Sequence, residues 1–287
     1  MENISELIDE VLQEFGKFLP NAESSFVSKK HGIREENFQI VTDKDSKKYG
    51  KAKGKYTLIN FKEILVEGEQ QKYYINYLSK VIQSYLGKIG NGDTILVIGL
   101  GNRHISPDSL GVEVIKNIVI TRNMVDDMPK LCAFAPSVLG LTGIESVDVV
   151  SGLIDKVKPS KVVVIDSLCA SDVSRLSKSI QITDSGLTPG AGIKNVRKRI
   201  SERVTNCKTV AIGVPLVVYA NTFIKSAFRN ANISQEDIRT NKKLNDILLS
   251  DYQEIVTLSD IQEVVEKLGV IVGRAINLAV LGIESLD

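Results

Sequence analysis

The chain has 287 residues, of which 43% are hydrophobic and 25% charged, with a formal net charge of +1. That length buries a full core, and the balance is that of a globular protein. It lacks the basic footprint of a nucleic-acid binder, and its most apolar stretches, 210–223 and 270–283, are too short to cross a bilayer, the second being interrupted by Arg274.

Taken in chain order, residues 4–19 carry Leu7, Ile8, Val11, Leu12, Phe15, Phe18 and Leu19 on one helical face, which Pro20 and Asn21 end. Short strands are expected at Phe38 to Val41 and at Tyr56 to Phe61, with a solvated Lys-rich loop, Lys44 to Lys55, between them. A second helix spans 70–87, its Tyr74, Tyr77, Leu78, Val81, Ile82 and Tyr85 at core-packing spacing. After the Asn91-Gly92-Asp93 turn the pattern becomes short apolar runs alternating with helices, at Thr94 to Leu100, Leu131 to Ala135, Lys161 to Ile165 and Thr209 to Val214. Strands apolar on both faces imply a mostly parallel sheet covered by helices on both faces. Thr142-Gly143-Ile144-Glu145 reads as a capping box opening a helix to about Val157, and Ser259-Asp260-Ile261-Gln262 as one opening a final helix to about Ile283. Residues 230–256 read as connecting helices or loops. The division expected is an N-terminal helix and small β appendage over 1–92, packed on an α/β catalytic domain over 93–287.

The acidic, polar N-terminus has no signal-peptide core, and the cysteines, Cys132, Cys169 and Cys207, form no C-x-x-C pair. Both features suit a cytoplasmic protein with reduced thiols. His31 and His104 are the only histidines, which leaves little for a His-rich zinc site or a Ser-His pair.

The chemistry is sought at the ends of the buried strands. Gly99-Leu100-Gly101-Asn102 follows one strand, but His104 stands where a dinucleotide fingerprint needs its third glycine, so no cofactor is expected. The glycines instead permit close backbone approach at the sheet's carboxyl edge. Ser106-Pro107-Asp108 then places Asp108 in the first turn of a helix. Val162-Val163-Val164-Ile165-Asp166 ends a second strand in a carboxylate. Ligand sites in α/β sheets form outside such strand ends. Two convergent carboxylates share one proton and do acid–base work, or else bind a metal through oxygen, with His104 as a third ligand. Each aspartate alone also has a plain structural use, as a helix-start or turn carboxylate. Gln181 to Gly192, which contains Asp184, Gly190 and Gly192, is a Gly-rich connection able to present backbone N–H groups, and it leads to Lys194, Arg197, Lys198 and Arg199.

These segments together resemble the germination protease family of spore-forming bacteria. The matching residues are Val97 to Asn102, Ser106 to Gly111, Thr121-Arg122, Leu141 to Glu145, Val164 to Leu168, Gln181 to Gly186 and Pro189 to Asn195, in order over 94–223. The resemblance implies an endopeptidase that digests small acid-soluble spore proteins, located in the forespore or spore core. It also implies a zymogen and a homotetramer, with neither membrane nor direct nucleic-acid partner. A further likeness to hydrogenase maturation proteases implies a phosphorylase/hydrolase-like fold. It maps the catalytic carboxylates to Asp108 and Asp166, with Gly101, Asn102, Thr142, Gly143, Asp184, Gly190 and Gly192 as residues shaping the site. Two other readings accompany it: a metal-dependent maturation-type endopeptidase using His104, Asp108 and Asp166, and a non-catalytic paralogue that binds a partner. Ser171-Asp172 stands where the family tends to carry a basic residue. Glu14-Phe15 resembles a bond such enzymes cleave, although it lies inside the first helix pattern.

Overall fold

A computed structural model describes residues 23–28, 30–124, 127–189, 199–233, 240–241, 243 and 254–285. The helix expected over 4–19 and the Glu14-Phe15 bond lie outside the described residues, as does most of 230–256.

The first part of the chain is antiparallel. Strands β1 (Glu23–Ser28), β2 (Ile33–Ile40) and β3 (Gly54–Phe61) pair in sequence. The Lys-rich connection between β2 and β3, expected as a loop, instead contains helix α1 (Asp43–Tyr49). The reason lies in its ends. The Thr42 side chain accepts the Asp45 N–H, Asp43 and Asp45 occupy the first turn, Lys47 and Lys48 the last, and Gly50 closes it in a left-handed conformation. Helix α2 (Gly68–Leu86) then turns Tyr74, Ile75, Leu78, Ile82 and Leu86 into the core.

The second part supplies the parallel strands. β4 (Thr94–Gly99) is followed by a 3-10 turn (Ser106–Asp108), α3 (Leu110–Lys116), β5 (Lys130–Phe134), α4 (Leu139–Thr142), α5 (Ser146–Val157) and β6 (Lys161–Ala170). β7 (Ser179–Thr183), α6 (Glu202–Thr205), β8 (Lys208–Tyr219), α7 (Ala220–Asn230), β9 (Ile255–Val256) and α8 (Ile261–Leu281) complete the described elements. β5, β4, β6 and β8 are neighbours and parallel; β7 pairs antiparallel with β8 on one side and with β3 on the other. One mixed α/β sheet therefore runs β1-β2-β3-β7-β8-β6-β4-β5, with β9 on the end of β8.

Strand alternation sorts the side chains into two cores. Ile95 and Val97 of β4, Val163 and Ile165 of β6, and Val210, Ile212 and Val214 of β8 pack under α2, α3 and α8. Leu96, Ile98, Val162 and Val164 face the opposite way, against Val147, Val150 and Ile154 of α5. Helices thus cover both faces, and each fully buried aliphatic side chain contributes about 1.5–3 kcal/mol. α8 is tied down further by Asn277, which is fully buried. Its Oδ1 accepts the Val119 N–H, and its Nδ2 donates to the carbonyls of Asn117 and Glu284.

Two expected caps do not form. α5 begins at Ser146, four residues after Thr142, and its N-cap residue Glu145 makes no side-chain cap. Thr142 is occupied by its own short helix, its hydroxyl donating to the Val138 carbonyl, and Gly143 ends that helix at φ 70°. α8 starts after Asp260 without a side-chain cap, and the Gln262 amide bonds to Ser106 and Glu266 instead of reaching back to the helix start.

Candidate active site

The site is built where β4 ends beside its parallel neighbour β6, with Gly99 opposite Ile165; β6 itself runs on to Ala170, so Asp166 lies within the strand rather than at its end as expected. The ladder closes where the Leu100 N–H donates to the Ile165 carbonyl at 2.8 Å. One residue on, Asp166 stands opposite Gly213 of β8. It points to the α5 side of the sheet by alternation from Val162 and Val164, and it is 5% exposed. Its Oδ1 accepts the Ser167 N–H at 2.9 Å. Gly213 matters by its lack of a side chain: a Cβ there would lie 2.5 Å from Leu168 Cδ1, so Leu168 fills the space beside Asp166.

Asp108 arrives from the other side. Expected in the first turn of a helix, it closes the separate Ser106–Asp108 3-10 turn instead, and Ser109 links that turn to α3. Three glycines let this turn sit directly on the end of β4. A Cβ at Gly99 would meet the Gly111 carbonyl oxygen at 2.1 Å, and one at Gly111 would meet the Leu100 carbonyl oxygen at 2.3 Å. Gly101 has φ 111°, a conformation few side chains tolerate, and a Cβ on it would lie 1.8 Å from the Asp108 carbonyl oxygen. The Asn102 N–H then donates to Asp108 Oδ2 at 2.9 Å. The turn touches β6 and β8 as well as α3 and α8. Burial pushes the Asp108 carboxyl above the ordinary carboxylate range, and the Asn102 N–H only partly offsets it. Asp166 thus lies within β6, one residue past the level at which β4 ends, and the Asp108 turn is seated on that end of β4. Burial biases Asp108 toward its protonated form.

The other expected residues separate into groups. Gly101 and Asn102 belong to this edge and hold Asp108. Thr142 and Gly143 are exposed on the connection that follows β5. Asp184 lies elsewhere on the sheet. β7 runs antiparallel, with Thr183 opposite Ala211, so Asp184 lies toward the amino-terminal ends of the parallel strands, away from Asp166. There its Oδ1 accepts the Lys55 N–H at 2.7 Å, and it lines a cleft of about 380 Å³ with Tyr85 and Lys208. Gly190 and Gly192 lie outside the described residues. His104 is exposed, and among the described residues no three His, Cys, Asp or Glu side chains gather as a metal site, so His104, Asp108 and Asp166 do not form such a group. Thr121 is structural: its hydroxyl donates to the Pro129 carbonyl and accepts the Leu131 N–H, closing the loop before β5.

Two residues that border these groups had no functional signal in the sequence. Gly213 sits inside an apolar strand, and Gln262 is contributed by α8, far along the chain.

The family model for germination proteases matches residues 24–230, which include both aspartates and every strand from β2 to β8. The chain belongs to the germination protease family. A germination protease of Caldanaerobacter subterraneus subsp. tengcongensis is 32% identical, covering 86% of this chain and 85% of the relative. One from Clostridium acetobutylicum is 30% identical over 84% of this chain and 82% of its own. One from a Geobacillus strain is 37% identical over 63% of this chain and 51% of its own. A solved structure, the hydrogenase maturation protease HycI from Thermococcus kodakarensis, is similar at 17% identity and a TM-score of 0.36, over 69% of this chain and 99% of the other. A likeness so distant carries no argument here. Family membership makes this chain an endopeptidase of spore germination, acting on protein substrates. No described helix is long and apolar enough to cross a membrane.

Proposed function

We propose that the chain cleaves small acid-soluble spore proteins during germination, in the forespore or spore core, with Asp108 and Asp166 as the catalytic pair. The observation that supports this reading is the seating of the Asp108 turn by Gly99, Gly101 and Gly111 on the end of β4, whose parallel neighbour β6 carries Asp166 one residue beyond that level. Family membership supplies the reaction class, and the resemblance noted from the sequence supplies the substrate.

In this scheme Asp166 acts as the base, taking a proton from water as the water oxygen attacks the scissile carbonyl carbon. Asp108, biased toward its protonated form by burial, gives its proton to the departing amide nitrogen as the C–N bond breaks. The products are a carboxylic acid and an amine, and the proton left on Asp166 resets the pair through solvent. Unlike a Ser-His arrangement, the scheme needs no histidine, which fits a chain with only His31 and His104. Synthesis as a zymogen and assembly as a tetramer belong to the same reading.

The test is digestion of a purified small acid-soluble spore protein, with and without chelator. Cleavage that persists in chelator and disappears in Asp108→Asn and in Asp166→Asn supports the pair. Loss in chelator alone points to a metal-dependent enzyme. A folded chain that cleaves no spore protein is a binding paralogue.

A further inference from the structure

The turn that carries Asp108 is held mostly by its own neighbourhood. The Ile105 N–H donates to the Asn102 carbonyl, the Asp108 N–H to the Ile105 carbonyl, and both the Ser109 N–H and its hydroxyl to the Ser106 carbonyl. Among the described residues one side-chain bond of the turn leaves this neighbourhood: the Ser106 hydroxyl donates to Gln262 Oε1 at 2.7 Å, across 156 residues of sequence. Gln262 sits in the first turn of α8, and its Nε2 donates to Glu266 Oε1, one helical turn on, at 2.6 Å. An ionised carboxylate only accepts, so Glu266 fixes the amide with its NH₂ group outward and its oxygen toward Ser106. α8 is a firm anchor, with Val264, Val265 and Leu268 buried in the core beneath it.

We infer that Gln262 is a positioning residue for Asp108, acting through Ser106, with Glu266 setting the direction of its amide. The inference rests on the aspartate-pair reading above. Its logic is one of location. Ser106, Gln262 and Glu266 hydrogen-bond at the surface, where such bonds add little to global stability. The same bond ties the outer end of a three-residue turn to a rigid helix, two residues from the carboxyl that must meet the leaving nitrogen. Small misplacements of a reacting group are costly in rate. Gln262 touches neither substrate nor reacting atoms, so its loss acts on turnover more than on binding.

The experiment is a double-mutant cycle on peptide cleavage using the full chain, with Asp108→Asn and Asp166→Asn as references. Gln262→Ala is expected to lower kcat about five- to tenfold, the scale of one hydrogen bond, with KM nearly constant and the melting temperature close to the parent's. Ser106→Ala gives the same loss, the double variant loses no more than either single, and Ser106→Thr, which keeps the hydroxyl, restores the rate. An unchanged kcat in Gln262→Ala, additive losses in the double variant, or a loss matched by a falling melting temperature overturns the inference. A parent that cleaves nothing, or an active Asp108→Asn, overturns the aspartate-pair reading first and this assignment with it.

Discussion

Gly101→Ala probes the contact that sets Asp108 in place. The substituted Cβ would start 1.8 Å from the Asp108 carbonyl oxygen and 3.3 Å from Asp108 Oδ1. Ordinary contact is about 3.5 Å, so the turn must retreat by roughly 1.5 Å or more. The backbone resists as well, because Gly101 holds φ 111°. Strain of that kind costs about 1–3 kcal/mol, and overpacking a tight contact costs about 1–3 kcal/mol more. The expected sum is about 2–6 kcal/mol, which lowers the melting temperature by roughly 5–20 °C in a chain of this size. The displacement falls on the Asp108 turn, so under the proposed aspartate pair cleavage by the remaining folded protein drops by about 100-fold. Circular-dichroism melting, with initial cleavage rates measured well below the transition, separates the two effects. A variant with parental melting temperature and parental rate would refute the account of how the glycines seat Asp108.

Further outcomes follow from particular side chains. Burial raises the Asp108 carboxyl pKa in the folded state, so the folded chain holds that proton more tightly than the unfolded one. The linkage therefore takes stability away as pH rises through the unfolded carboxylate value near ~3.9 and then the higher folded value. Asp108→Asn should accordingly melt higher than the parent at pH 7, and the gain should vanish toward pH 3; a gain that persists undiminished in acid contradicts this. Asn277→Ala strips partners from the Val119 N–H and from the Asn117 and Glu284 carbonyls, and should cost about 2–4 kcal/mol in denaturant titration with activity per folded molecule retained. Gly152→Ala lies within α5 with nothing inside 4 Å of its new Cβ, and should stabilise by about 0.5–1 kcal/mol; a lower denaturation midpoint would show hidden crowding there.

The parallel core was legible because its signal is local. Runs such as Val162 to Ile165 are apolar on both faces and β-branched throughout, as a sheet covered on both sides requires. Asp166 was expected to end its strand, but β6 runs on to Ala170 because β8 continues beside it. What escaped depended on distant partners. β7 reads as a Gly-rich connection until β3 and β8 flank it, and it is that antiparallel insertion which carries Asp184 to the far edge of the sheet. The capping box at Thr142 matched in composition, but Thr142 bonds backward into α4 rather than forward into α5. α1 was hidden by lysines that read as solvated loop, although Thr42 and Gly50 were present to cap it. Gln262 read as the last residue of a capping box; only the packing of α8 beside the Asp108 turn gives it Ser106 as a partner.

The central claim is that Asp108 and Asp166 together hydrolyse a peptide bond. The most direct measurement is the initial rate of cleavage of a small acid-soluble spore protein by the parent, by Asp108→Asn and by Asp166→Asn, each confirmed folded by its melting transition. The account predicts cleavage by the parent and a loss of at least about 1,000-fold in both variants. Parental turnover by either variant would contradict it.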